Sequence, residues 1–125
     1  MAAATPQRLR LTREMRVKQG RDFSRVRQAG QRLVMGCLIA NWLQLPAGSN
    51  SRLGVVTSGK VGNAVVRNRA RRLLREAFRL HQHDLSQPMD LVLVARNSIS
   101  GKTFSGVEKD YLATLRRAGL LKEKS

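Results

Sequence analysis

Apolar residues recur along this chain in two rhythms. Over residues 66–80, Val66, Ala70, Leu73, Leu74, Ala77, Phe78 and Leu80 share one arc at about 100° per residue, which predicts an amphipathic helix. Residues 32–45 are apolar and β-compatible, with Leu33, Val34, Cys37, Leu38, Ile39, Trp42, Leu43 and Leu45. Pro46-Ala47-Gly48-Ser49-Asn50-Ser51 then reads as a turn, and Arg52 to Thr57 as the second strand of that hairpin. Asp90-Leu91-Val92-Leu93-Val94-Ala95 is continuous, not alternating, as in a strand covered on both faces. Phe23, Val26 and Ala29 are spaced for one face of a short helix that Gly30 would end. Ser105 and Glu108 have capping-box spacing, and the helix they open carries Val107, Tyr111, Leu112 and Leu115 inward until Gly119. The order is α-β-β-β-α-β-α: an α+β two-layer sandwich around one mixed sheet, expected as a single domain over residues 1–125 with a basic N-terminal arm.

Charge changes the picture. The net charge of +16 is extreme for 125 residues, and it calls for a polyanionic partner, nucleic acid before an acidic membrane surface. The charge is also uneven. Residues 34–59 hold Arg52 as their only ion, whereas residues 67–79 carry Arg67, Arg69, Arg71, Arg72, Arg75 and Arg79 against Glu76 alone. Ordinary solvated helices mix signs to gain i,i+4 pairs; here Arg71, Arg75 and Arg79 repel one another a turn apart. A phosphate backbone would relieve that repulsion, and arginine offers it a planar fork of donors. Arg67 and Arg69 lie near the helix start, where the macrodipole disfavours cations and welcomes phosphate. Asn68 either caps this helix or donates to a nucleotide; the residues leave both open.

Other chemistries find little support. No apolar run approaches the roughly 20 residues of a bilayer span, and the first residues lack an apolar signal core. The single Cys37 excludes an internal disulfide and a cysteine zinc site. A reducing cytoplasm is expected. Ser58-Gly59-Lys60-Val61-Gly62-Asn63 lacks the Walker spacing, so nucleotide hydrolysis is not implied. His81, His83 and Asp84 are too few for a metal centre and read as a favourable helix C-terminus. The eight acids show no catalytic pairing, so a self-sufficient nuclease is not expected. Of five aromatics, most read as core. Phe23, among Arg21, Arg25 and Arg27, is the best base-stacking candidate, and Trp42 the second if its sheet face is open.

These residues resemble the bacterial ribonuclease P protein family. The match runs through Arg52-Leu53-Gly54, then Lys60-Val61-Gly62-Asn63-Ala64-Val65-Val66-Arg67-Asn68-Arg69, then Arg72-Leu73-Leu74-Arg75-Glu76-Ala77-Phe78-Arg79, and covers roughly residues 9–118. The resemblance implies a left-handed β-α-β crossover, against the usual right-handed rule. It implies a protein subunit that binds the ribonuclease P RNA and the 5′ leader of precursor tRNA. The RNA carries the chemistry with magnesium; the protein would have no cofactor, no metal site, no membrane and no obligatory protein partner. Arg67, Asn68, Arg69, Arg71, Arg72 and Arg75 would contact the catalytic RNA. Phe23, Arg27, Trp42 and Lys60 would line a cleft for the single-stranded leader. Arg27 stands where many members carry a second aromatic, Gly59 where a lysine is common, and the sheet tyrosine of the family aligns near Asn41 or Trp42. The alternative is a ribosomal or assembly RNA-binding protein without a role in cleavage.

Overall fold

The computed structural model describes residues 20–122. The expected basic arm over residues 1–15 lies outside that range, as do residues 123–125. The chain forms helix α1 (Gly20–Ala29), strands β1 (Gln31–Met35), β2 (Leu38–Gln44) and β3 (Arg52–Val56), helix α2 (Ala64–His81), strand β4 (Met89–Ala95) and helix α3 (Phe104–Ala118). Single 3-10 turns lie at Gly59–Val61, Gln82–Asp84 and Asn97–Ile99. The element order is the expected one, and the strands make one mixed sheet in the order β1-β2-β4-β3. Among the described residues no helix is long and apolar enough to cross a membrane.

The pairing of Arg52–Thr57 differs from expectation. β1 and β2 form the hairpin themselves, turning at Gly36-Cys37 between Met35 and Leu38. β3 lies at the far edge, parallel to β4. The reason is the apolar run of β4. Buried along nearly its whole length, it takes an inner place, antiparallel to β2 and parallel to β3. A parallel pair needs a crossover, and α2 provides it.

Strand alternation divides the sheet into two unlike faces. On the first, Leu38, Ala40 and Trp42 of β2, Leu53 of β3, and Met89, Leu91 and Leu93 of β4 meet Ala70, Leu74, Ala77 and Phe78 of α2 and Val107, Tyr111 and Leu115 of α3. This is the main core. The second face carries Val34, Ile39, Asn41, Val56, Asp90, Val92 and Val94. Among the described residues only α1 crosses it, at the end where β4 begins, with Val26 buried beneath it.

Two helix starts differ from the sequence reading. α2 begins at Ala64, capped by Asn63, whose Oδ1 accepts the Val66 N–H at 3.0 Å. Asn68 is therefore not the cap. The preceding Gly62 has φ +152°, and a Cβ there would lie 2.9 Å from the Val66 side chain, so glycine fixes where the loop can hand over to the helix. α3 begins at Phe104, not after Ser105. Thr103 is its cap, accepting the Gly106 N–H at 3.2 Å, and Glu108 is engaged elsewhere. Gly119 ends α3 in the left-handed conformation, as expected.

Cys37 is fully buried, as its apolar setting predicts. Burial, and then the nearby Asp110 carboxylate, push its thiol up to about 12. The same carboxylate accepts the Cys37 N–H at 2.9 Å and ties the hairpin turn to α3.

His81, at the end of α2, links two elements. Its Nδ1 lies 2.9 Å from Asp84 and its Nε2 2.7 Å from Glu108 of α3. Burial alone would lower its pKa, but the contacts with Glu108 and Asp84 outweigh that and hold it above the usual value. His81→Gln is expected to cost about 1 kcal/mol of stability at pH 6 and less at pH 9. With a raised folded-state pKa, the stabilisation is complete below the unfolded value of about 6.5 and fades as pH climbs through the folded value. Urea unfolding of both proteins at the two pH values checks this; a difference that grew with pH would reverse the sign.

Candidate nucleic-acid interface

α2 turns its apolar side to the sheet and leaves its arginines on the outer side. Asn68, Arg69 and Arg72 are exposed, and Arg67, Arg71 and Arg75 are half-buried along their stems. Because the helix starts at Ala64, Arg67 sits in its first turn and Arg69 in its second. The dipole argument therefore applies to Arg67 alone.

What holds these side chains is informative. Arg67 donates to the Gly62 carbonyl at 3.4 Å, and Arg69 to the Lys102 carbonyl at 2.7 Å. Arg71 donates to the Thr57 hydroxyl and to the Asn68 amide oxygen. All of these acceptors are neutral. The guanidinium groups are placed without their charge being cancelled, and most of their five donors stay available. Glu76, the acid on this helix, is taken up by Arg79 through both oxygens, at 2.9 and 2.6 Å. That bonding holds the Glu76 carboxyl below its usual range.

The other acids are engaged as well. Asp90, 0% exposed on the second sheet face, accepts from Arg52 Nε and Nη2, both at 2.8 Å, and from Arg25 Nη2 of α1 at 3.1 Å. Asp22 of α1 lies 3.7 Å from Arg52. Asp84 and Glu108 hold His81, and Asp110 holds the Cys37 N–H, with Lys102 at 3.7 Å. Every carboxylate among the described residues thus has an intramolecular partner.

The second sheet face forms a second candidate surface. At one end stands α1, with Phe23 half-buried and Arg27 exposed. At the other end, past β3, Lys60 and Arg96 border a polar cavity of about 400 Å³ with Ser58, Asn97 and Ser98. The two ends are separated by the length of β3, about 13 Å at 3.3 Å per residue. Between them lie Val34, Ile39, Val56 and Val94, all at least partly exposed. Trp42 is not on this surface. Its partner in register is Leu91, and its ring is buried with the main core. Asn41, paired with Val92, takes the cleft-side position. The alternation of β2 carried that signal, since Leu38 and Ala40 set the phase of the buried face. Arg96 had no signal beyond following an apolar strand.

A family model described as Ribonuclease P matches residues 11–119. The ribonuclease P protein component of Syntrophomonas wolfei is 39% identical over 110 residues, covering 88% of this chain and 92% of the relative. That of Gluconacetobacter diazotrophicus is 38% identical over 111 residues, covering 86% and 94%. Among solved structures, the RNase P protein of Staphylococcus aureus superposes with a TM-score of 0.78 at 26% identity, covering 86% of this chain and 98% of that one. That of Thermotoga maritima gives 0.72 at 29% identity, covering 82% and 96%.

Proposed function

The chain belongs to the ribonuclease P protein family, and from that premise we propose how its two surfaces divide the work of a tRNA-processing ribonucleoprotein. It is the protein subunit of that endoribonuclease, and the RNase P RNA is its partner. In our reading the outer side of α2 docks this RNA through Arg67, Asn68, Arg69, Arg71, Arg72 and Arg75. The observation that carries it is the set of arginines fixed by neutral acceptors. Such groups are pre-positioned for phosphate and lose little freedom on binding it.

The second face takes the single-stranded 5′ leader of precursor tRNA. Phe23 offers a ring to a base, and Arg27 and Lys60 offer cations to phosphates at either end. The partly apolar floor between them suits unpaired bases. Trp42, with its ring in the core, contributes packing in place of leader contact. Binding the leader here raises affinity for precursor over mature tRNA. The chemistry and its magnesium belong to the RNA subunit. The described carboxylates serve ion pairs and hydrogen bonds within the protein. The cytoplasm, where precursor tRNAs arise, is the fitting compartment.

The test uses two components and no further protein. Adding this chain to a bacterial RNase P RNA at low magnesium is expected to stimulate cleavage of precursor tRNA, with an affinity that falls steeply as salt rises. Absence of stimulation would end the reading. Cleavage by the protein alone would move the chemistry onto the chain.

A further inference from the structure

Phe104 does not behave as a core aromatic. It is the first residue of α3 and only half-buried, with its inner edge packed on the main core. Its outer edge lines a cavity of about 380 Å³ together with Leu73, Arg69, Arg72 and Glu76 of α2. The depression is open to solvent and wide enough to admit a flat ring. The cavity opens on the same side of α2 as the arginines.

Its walls have a definite chemistry. Phe104 and Leu73 supply an apolar patch. Arg69 is locked across the α2–α3 junction by its bond to the Lys102 carbonyl at 2.7 Å. Arg72 is exposed and makes no hydrogen bond or ion pair among the described residues. Glu76 is held by Arg79, and each of its oxygens keeps a lone pair for a second donor. An aromatic edge, two guanidinium groups and a carboxylate on one lining suit one occupant well. A nucleobase stacks on the ring, its flanking phosphates meet the arginines, and its amino group donates to the carboxylate.

We propose that this cavity receives a single unstacked nucleobase of the RNase P RNA, one bearing an exocyclic amine. The proposal rests on the docking role of α2, and it adds a different kind of contact to it. Phosphate contacts position a protein but carry no sequence information, whereas a base contact reads which nucleotide is there. The pocket would therefore add selection of one nucleotide to the positioning that the arginine face supplies.

The full-length protein is titrated with a bacterial RNase P RNA at several salt concentrations. Phe104→Leu keeps the inner packing and removes the ring; it is expected to weaken binding about tenfold with an unchanged salt slope. Phe104→Trp should bind within about threefold of the parent, since the indole restores a stacking surface. Arg72→Ala should weaken binding and lower the salt slope by about one. Base-reactivity probing should show one nucleotide protected by the parent protein and exposed with Phe104→Leu. Parent-like binding by Phe104→Leu beside a weakened Arg72→Ala overturns the pocket and leaves the docking face standing. Parent-like binding by both overturns the pocket, and parent-like binding by Arg67→Ala combined with Arg69→Ala removes the docking face as well. A weaker Phe104→Leu with a reduced salt slope, or with no nucleotide newly exposed, also overturns the pocket. Thermal midpoints confirm that each variant is folded.

Discussion

Arg67→Ala combined with Arg69→Ala is expected to weaken assembly with the RNase P RNA by about 3 kcal/mol, roughly a hundredfold. Each guanidinium would make a charge-assisted bond to phosphate, and two such bonds account for that loss. The fold should survive. The inward residues Ala70, Leu74, Ala77 and Phe78 hold α2 to the sheet, and neither arginine is an ion-pair partner of a described acid. The bonds to the Gly62 and Lys102 carbonyls are lost, but both acceptors lie in loops that water reaches. The salt slope of assembly should fall by about two, one for each phosphate given up. The ratio of precursor to mature tRNA affinity should stay close to that of the parent. A collapsed ratio with intact assembly would mean that the two surfaces are exchanged.

Asp90→Asn is expected to do the opposite. Its carboxylate is wholly buried and accepts from two arginines that arrive from different elements, Arg52 of β3 and Arg25 of α1. Removing one partner of a buried ion pair costs about 3–5 kcal/mol when the survivor stays buried. Here the survivors reach water: Arg25 is 53% exposed and Arg52 29%. A loss of about 2 kcal/mol in urea unfolding is therefore the expected result. The functional consequence should fall on the second face. α1 loses the anchor that fixes Phe23 and Arg27 relative to the sheet, so leader discrimination should drop. Docking of the RNA on α2 should not change. A variant as stable as the parent, with full discrimination, would show that Val26 alone seats the helix.

The parts of the fold legible in the sequence were those decided locally. The period of Val66 to Leu80 depends on neighbours within a few turns, and the structure keeps it. The unbroken run Leu91–Ala95 announced a strand covered on both faces; β4 is buried but for Val94, which stays partly exposed where α1 does not reach. Gly119 marked its helix end by backbone freedom alone. Pairing across the sheet was not legible, because β3 had two available neighbours and only the central position of β4 decides between them. The caps were ambiguous for a related reason. Asn63 and Asn68 are equal as capping types, and Thr103 caps α3 although serine ranks above threonine, so the choice rests on where the preceding loop delivers the chain. Trp42 shows how a phase error of one residue moves a ring from cleft to core. The arginine face was visible as charge. Its anchoring by carbonyls and hydroxyls was not, since Lys102 and Thr57 are remote in sequence or carry no pattern.

Cys37 makes this protein convenient to label. It is the sole cysteine of the chain, fully buried, with a thiol pushed up to about 12. At neutral pH the reactive thiolate is scarce, and the sulfur faces the interior. Alkylating reagents and mild oxidants should pass it by. A cysteine introduced at an exposed site, such as Ser105 beside the proposed base pocket or Ser98 beside Lys60, would then be the one group that takes a probe. Fluorophores or hydroxyl-radical tethers could be mounted on either surface with the native thiol left in place, and each RNA mapped from a known point.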